Sequence, residues 1–598
     1  MAYDASIGDP NTPQGLRKHL DRRLRGMRAA RGAYEPTWLE IARFCEPVIP
    51  KLLSSYGGST NNHGAPVAIR TSDQVNSKLL DSRAVWASET LANGMHSGLT
   101  SPSRPWFKLT LSDPEMRERQ AVKMWLDEVE RRIYDLFAKT NFYTTAKSGY
   151  RELGLYGVEA GLMERHWRYG MVCHPLTAGE YWLGVDDGLV TDSLYRRVDM
   201  STIQHYERFL KGRSASDVLP RRVVEAYDQG NYDTLHPVYH AVEPNDLRDP
   251  NKLDAKGKAY RSVYWSAWCD DNEKADRGKA LLAEEGFNSK PFWAPRWDVR
   301  GTDIYSSTSP GLNALSDTRQ LQLGVLRKQQ AIDYVVKPPL RGPATLNNMH
   351  VSLQPGRITA MAMVDKDSFG PIWQTDPRVI QAISEDNAET REAIDRGFYA
   401  DLFNAITNMR GIQPRNVEEI AARNEEKLTQ LGPVVERVGQ EKLKVAIDRA
   451  YDILETAGLL RDIPLPPEME GQAVEVEFIS VLAQAQRLIG LGSIERVYGF
   501  AASADPDGSK GMLDNLDHDA AVQEYGDITG VAARIIRGKD EVDKIRFARA
   551  EAQAQQQQAA QAIEMAKAAK PATEAAALLY DSPGVGSQPN LAERLLGV

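Results

Sequence analysis

Two long helical stretches of this chain are separated by a break that proline sets, and the break dictates how they can be arranged. In "LRKQQAIDYVVKPPLRGPA" (326–344), polar, helix-forming sequence reaches Tyr334-Val335-Val336 and stops at Lys337-Pro338-Pro339. Proline lacks the N–H that a helix interior needs and pushes the residue before it towards extended geometry. A second helix is predicted from "TDPRVIQAISEDNAETREAIDRGF", with Asp376 as cap and Pro377 at the first position. Run to about Ala405 it has roughly 29 residues, or about 43 Å at 1.5 Å per residue. Its middle, "SEDNAETRE", is almost wholly polar. Such a helix cannot be a core element of one globular domain; it needs neighbours that share polar contacts, or water along one side.

The flanking sequence is mixed. Leu16, Leu20, Leu24, Met27, Tyr34, Trp38 and Ile41 recur at helical spacing, and the other face carries Arg17, Lys18, Arg22, Arg23, Arg25, Arg28 and Arg31. A solvated face, or docking against an acidic partner, accounts for those cations better than contact with DNA. Met124, Leu126, Val129, Ile133, Leu136 and Phe137 mark a second amphipathic helix, and "GLTSPSRPWFKLTL" before it ends in strand-like alternation. From Gly161 to Trp297 the texture is β-rich, with a hairpin predicted at Asp187-Gly188 and strands at "HPVYHAV" and "RSVYWSAWC". Ser309 caps the return to helix, with Pro310 in the first turn. Further helix is predicted over roughly Val417–Ala457, a strand at "AVEVEFISVLA", and a helix-permissive Ala/Gln tail with little to bury.

With 598 residues the chain is too long for one compact core, so several domains or lobes are expected. A formal charge of −9 argues against a protein that coats a phosphate backbone, though not against DNA passing without being gripped. Cys45, Cys173 and Cys269 lie far apart and in no CxxC, which fits a reducing cytoplasm. No apolar run approaches the roughly 18 residues of a membrane helix, and "MAYDASIGDP" is not a signal peptide.

Catalytic signatures are missing. There is no GxxxxGK[ST], HExxH or GxSxG, and "DGSKG" lacks phosphate-loop spacing. A calcium-loop reading of "DPDGSKGMLDNLDHD" through Asp505, Asp507 and Ser509 fails at Lys510, where the turn glycine belongs, and at Leu516, where the bidentate glutamate belongs. Asp514, Asp517 and Asp519 read as solvated caps in preference to a two-metal site, and His96 as a loop or core histidine. No catalytic residue, metal site or cofactor is expected, and the chain is not read as an enzyme.

The order of elements carries more than any motif. "PFWAPRWDVRGTDIYSSTSPGLNALSDTRQLQ", "VVKPPL", "LGPVVERVGQEKLKVAIDRAYDILETAGLL" and "SVLAQAQRL" follow one another. With "GLTSPSRPWFKL" near the start and "LDNLDHDAAVQEYGDITGVAARIIRGKDEV" towards the end, they resemble the portal, or head-to-tail connecting, proteins of short-tailed double-stranded DNA bacteriophages over nearly the whole chain. Tyr305-Ser-Ser-Thr-Ser-Pro310 stands where relatives often read Tyr-Gly-Arg-Gly-Pro, and "NMRGIQPRNVEE" where they often carry a Thr-Ala-Thr-Glu-like stretch.

The resemblance implies an α+β, mainly α, ring subunit with a mixed wing, two-helix stem, small β-containing clip and helical crown. It assigns 1–308 to the wing, 309–336 to the first stem helix, 337–376 to the clip and 377–405 to the second stem helix. It assigns 406–416 to a tunnel loop, 417–500 to a long helix returning to the wing, 501–545 to the crown and 546–598 to the tail, as a helical barrel or disordered. Lys337, Pro338, Pro339, Leu340 and Arg341 then fall in the clip, where the terminase large subunit and later tail adaptor or nozzle proteins dock. Met409, Arg410, Gly411, Ile412 and Gln413 fall in the channel constriction, the alternative being an ordinary surface turn between helices. Arg391, Arg396 and Arg410 are candidates to face the bore. Implied partners are further copies in a ring of about twelve, major capsid and scaffolding proteins, and the double-stranded DNA inside. Expected localisation is the capsid portal vertex, after assembly in the host cytoplasm and without membrane insertion. The rival readings are a packaging nuclease or ATPase, which the missing phosphate loop disfavours, and a non-viral scaffold of stacked helices. The scaffold predicts an internal repeat, and none occurs at the usual periods of about 20–50 residues.

Overall fold

The computed structural model describes residues 12–48, 79–113, 116, 119–252, 254–266, 281–338, 340–341, 370–371, 376–407, 431–469, 474–479, 497–500, 503, 516–522, 542–558 and 560–561. The chain divides into two compact units: residues 1–112 with 124–499, and residues 113–123 with 500–598. Helix predominates, with strands concentrated between residues 160 and 293.

In chain order the first elements are α1 (Pro13–Gly32), α2 (Glu35–Cys45), α3 (Arg83–Leu99), β1 (Phe107–Leu111), α4 (Gln120–Lys139) and α5 (Phe142–Tyr156). Then come β2 (Ala160–His166), β3 (Gly170–Leu176), β4 (Tyr181–Val185), β5 (Thr191–Ser201), α6 (Thr202–Phe209), α7 (Ala215–Val218) and α8 (Arg221–Asp228). β6 (Leu235–Pro244), β7 (Tyr260–Ser266), β8 (Ala283–Phe287) and β9 (Phe292–Trp293) complete the β-rich stretch. Next are α9 (Pro310–Asn313), α10 (Leu315–Val336), β10 (Leu340–Arg341), β11 (Gly370–Pro371), α11 (Arg378–Gly397) and α12 (Ala400–Thr407). α13 (Val445–Thr456) and β12 (Val474–Phe478) follow.

Strands β4 to β8 form an antiparallel five-stranded meander in sequence order. Because side chains alternate across a strand, the sheet has two different faces. Trp182, Tyr195, Tyr239, Ala241, Val263 and Trp265 receive Leu16, Leu20, Leu24 and Met27 of α1. Val238 and Tyr264 turn the other way and receive Phe209 of α6, Val218, Leu219, and Val223 of α8. The predicted hairpin forms between β4 and β5, but the positive φ falls on Leu189 at 61° rather than on Gly188. The reason is local: the Asp186 carboxylate accepts the Val190 N–H at 2.8 Å, which tightens the turn one residue later.

Two expectations change in the packing. The apolar stripe from Leu16 to Ile41 is not one helix, since the chain turns at Ala33 between α1 and α2. In α4 the buried stripe is Val122, Trp125, Leu126, Val129, Ile133 and Phe137, while Met124 stands exposed. The strand expected at "FKLTL" is β1, and it pairs antiparallel with β12, Phe107 opposite Phe478, so residues far apart in sequence close one ladder.

In the second unit the Asp517 carboxylate accepts the N–H groups of Asp519 and Ala520, both at 3.0 Å, and so caps a short helix. Arg546 pairs with Asp519 at 2.5 and 2.6 Å. These two aspartates therefore serve as cap and ion-pair partner; Asp514 and the 505–515 loop lie outside the described residues.

Candidate functional site

α10 and α11 lie side by side and antiparallel, and their register runs through unbroken. Gly397 sits against Ala314, where an added Cβ would come within 3.1 Å of the alanine Cβ. Ten residues along α10, Gly324 sits against Asn387, ten residues back along α11, where an added Cβ would lie 2.1 Å from the amide oxygen. Glycine at both points lets the helix axes approach. The same register continues past the helix ends, where Leu340 pairs with Pro371 and Arg341 with Gly370 in the antiparallel β10–β11 ladder.

Both helices are interrupted at the opposite end. Ser309 accepts the Leu312 N–H at 3.0 Å and caps the single turn α9, and Ala314 then separates α9 from α10. The stretch expected to run unbroken from 377 to 405 stops at Gly397; Tyr399 adopts a φ of 55°, and α12 begins at Ala400. The change of direction buries Phe398, Leu402 and Phe403, with Phe403 lying over Gly94 of α3. A left-handed non-glycine residue costs roughly 1–2 kcal/mol, so burial of those aromatic and aliphatic groups outweighs it.

The polar middle of α11 has two sides, with Glu385, Asp386, Glu389 and Glu392 exposed and Asn387 and Thr390 buried. Asn387 is 2% exposed and packs on Gly324 of α10, and Thr390 is 7% exposed and donates to the Asp386 carbonyl of its own helix at 2.8 Å. The Gln322 amide makes three hydrogen bonds: its oxygen accepts the N–H groups of Leu80 and Asp81 at 2.7 and 2.9 Å, and its nitrogen donates to the Asp81 carbonyl at 2.8 Å. The Asp81 carboxylate in turn accepts from Arg391 at 2.7 Å. Arg83 makes a bidentate contact with Asp395, with Nε donating at 2.7 Å. Residues 80–83 thus clamp both helices to the start of α3. No sequence signal pointed to Gln322, Asp81, Arg83 or Asp395, because their partners lie hundreds of residues away.

Lys337 ends α10, its N–H donating to the Asp333 carbonyl at 2.7 Å. Leu340 and Arg341 form β10, whereas Pro339 and residues 342–369 lie outside the described residues. Arg391 and Arg396 share α11, but Arg391 is tied to Asp81 within the chain, and exposed Arg396 bonds the Glu392 carbonyl at 3.4 Å. Met409, Arg410, Gly411, Ile412 and Gln413 lie outside the described residues.

A second charged centre braces the same unit. Residues 431–438 are helical, and Gly439–Lys444 then continues as a π-helical segment into α13. The wider winding turns neighbouring Glu441 and Lys442 both to protein partners. Glu441 accepts from Arg296 at 2.8 Å, and Lys442 reaches the Glu159 carboxylate at 2.7 Å and stands 3.8 Å over the Tyr150 ring. Burial pushes Glu159 up and Lys442 down, and their mutual attraction opposes both shifts.

Among the described residues no group of three or more His, Cys, Asp or Glu side chains could hold a metal ion. His96 is lodged in the last turn of α3 beside Thr100 and Tyr143, with burial lowering its pKa. Buried Cys45 and Cys173 are free thiols, each pushed up to about 12 by burial. No described helix is long and apolar enough to cross a membrane.

Similarity to known proteins follows the same span. The profile of the family described as "Bacteriophage head to tail connecting protein" matches residues 17–536. The portal protein of Salmonella phage epsilon15 is 34% identical over 558 residues, covering 92% of this chain and 94% of that protein. The probable portal protein of Bordetella phage BPP-1 is 35% identical over 552 residues, covering 92% and 93%.

Proposed function

The chain belongs to the bacteriophage head-to-tail connecting protein family, and we infer from that membership that it is the portal subunit of a phage capsid. In that role it is a structural component of the virion and not an enzyme, forming the channel through which the genome is packaged and ejected. The observation that carries this reading is the similarity to portal proteins over 92% of the chain. The clamped antiparallel pair α10–α11, closed at one end by β10–β11, supports it as a rigid strut suited to lining or buttressing a passage.

Finer assignments belong to the same proposal. About twelve copies close into a ring, since head-to-tail repetition of one surface closes when its rotation divides the circle. Double-stranded DNA passes through the bore, the terminase large subunit and later tail adaptors dock on residues 337–376, and residues 409–413 narrow the channel. Arg396 faces the bore more freely than Arg391, whose guanidinium has a partner in its own chain.

The purified protein is expected to appear as a ring with a central hole in electron micrographs, without any ligand. Mass photometry showing only a 66.6 kDa species at micromolar concentration would speak against it. Replacing residues 337–340 with Gly-Ser should leave the ring intact and impair terminase or adaptor binding. Deleting residues 409–413 should leave rings that package DNA but fail to retain it. Normal infectious yield from either variant removes that assignment.

A further inference from the structure

The β2–β3 hairpin ends in a tip with its largest side chains in water. Trp167 is 89% exposed and Tyr169 57%, with Arg168 between them in the turn that joins His166 to its strand partner Gly170. A single exposed apolar residue is ordinary, but an indole this bare beside a second exposed ring leaves a large apolar area uncovered.

The tip is held still. His166 Nδ1 accepts the N–H groups of Arg168 at 3.2 Å and Tyr169 at 3.3 Å. Gly170 closes the turn at a φ of 76°, the left-handed geometry that favours glycine. The imidazole stacks on the Tyr169 ring at 4.9 Å and on the Trp167 ring at 6.1 Å, and the Arg168 guanidinium lies 5.5 Å over Tyr169. Lower down, Asn141 just past α4 exchanges hydrogen bonds of 2.7 and 2.8 Å with Cys173 of β3 and fastens the hairpin. Side chains already ordered lose little freedom on meeting a partner.

Charge narrows what that partner can be. Arg165 and Arg168 are exposed, as is Lys139, one turn along α4 from Leu136, which packs beside Gly170. None of the three has a carboxylate partner among the described residues. Glu164 is turned inward, accepting from Arg208 at 3.0 Å and Tyr264 at 2.8 Å, and Asp135 lies by Arg131. The surface is therefore aromatic and cationic, the composition that anchors protein interfaces. Duplex DNA would engage the cations but offers the rings no unstacked base to lie on.

We propose that the β2–β3 tip is a docking post for another protein of the phage particle, one that offers an apolar pocket rimmed by carboxylates. Trp167 fills the pocket, and Arg165 and Arg168 meet the rim. This rests on the portal reading above, which sets the chain among the other proteins of a particle.

Photo-cross-linking in assembled particles tests it. With p-benzoylphenylalanine in place of Trp167, irradiation should join this chain to one other protein, at a peptide that carries carboxylates beside apolar residues. Adding Arg168→Glu should cut the adduct yield at least about tenfold, and lysine in place of the mapped carboxylate should restore it. Trp167→Ala and Arg168→Glu should leave the urea midpoint of the free chain unchanged, since these groups brace no other element; a fall in the midpoint would make the tip a structural feature and overturn the proposal. Adducts to DNA or to a second copy of this chain, no adduct at all, or a yield indifferent to Arg168 would each overturn the docking post while leaving the portal reading intact. A chain absent from purified particles would instead overturn the portal reading.

Discussion

The β4–β8 sheet with α1 and the α10–α11 pair are both helix-bearing layers rich in arginine, and they treat charge in opposite ways. In the sheet, the buried Glu243 carboxylate accepts from Arg23 at 2.7 Å, Arg261 at 2.8 Å and Tyr195 at 2.6 Å. Arg31 is fully buried and donates to the Gly179 and Tyr181 carbonyls. The charges of Glu243 and Arg31 are answered within the chain. In the helical pair the ion pairs sit near the surface, and Leu323, Leu326, Tyr334 and Val336 stand exposed. The sheet region keeps its charge inside the chain, whereas the pair leaves apolar side chains on its outer face. Substitutions should therefore cost more stability in the first region than in the second.

The largest expected effect lies at the π-helical segment that braces the sheet-bearing unit. Lys442 and Glu159 are 0% and 1% exposed, so Lys442→Met leaves a carboxylate buried without its cation. Such a break costs about 3–5 kcal/mol, read as a fall in the urea midpoint. Adding Glu159→Gln removes the stranded charge while keeping an acceptor for the Trp293 N–H, which bonds Glu159 at 2.9 Å, and should recover much of the loss. A single variant that loses under about 1 kcal/mol would break the contrast at its strongest point.

Glu243 comes next. Burial alone would raise its pKa, but Arg23, Arg261 and the Tyr195 hydroxyl hold it below the ordinary 4.5. A carboxylate with a depressed folded value stabilises above its unfolded value, and that stability is lost as pH falls through the folded one. Glu243→Gln should therefore cost about 2–3 kcal/mol at neutral pH, and its deficit should shrink as the unsubstituted protein is acidified below 4.5. A deficit that stays constant down to acid unfolding would show the loss to be one of packing.

These two regions also differ in how much of them could be read in advance. Alternation marks β1, β5, β6 and β7, and Pro338 marks the end of α10, because period and proline act within a few residues. The same local logic places α1 and the exposed Lys18, Arg22 and Arg25 but misreads Arg23 and Arg31. Nothing in "LRKHLDRRLRGMRAARG" says that Arg23 will meet Glu243 or that Arg31 will be buried, since both partners come from strands far along the chain. The polar waist of α11 shows that a core helix is excluded, yet not that Asn387 and Thr390 would be buried and Gln322 held by residues 80–81. The break at Tyr399 is invisible for a related reason: a burial gain for Phe398 and Phe403, made by α3, overrides good local helix formers.

The smallest effect is the sharpest test of the contrast, and it concerns Arg391. Its guanidinium donates to Asp81 at 2.7 Å, but its side chain is 41% exposed. A pair screened that far by water contributes about 0–1 kcal/mol, so Arg391→Ala should barely move the urea midpoint. Gln322, by contrast, is 5% exposed with three hydrogen bonds, and Gln322→Ala should cost about 1–3 kcal/mol by leaving the Leu80 and Asp81 groups unanswered. A cycle of Arg391→Ala and Asp81→Asn separates two roles for the arginine. If the two losses fail to add, the side chain belongs to the clamp and is withheld from DNA. If they add fully, the pair is energetically empty and Arg391 is available to reach the bore; packaging measured at rising salt should then weaken on its removal, as a phosphate contact requires.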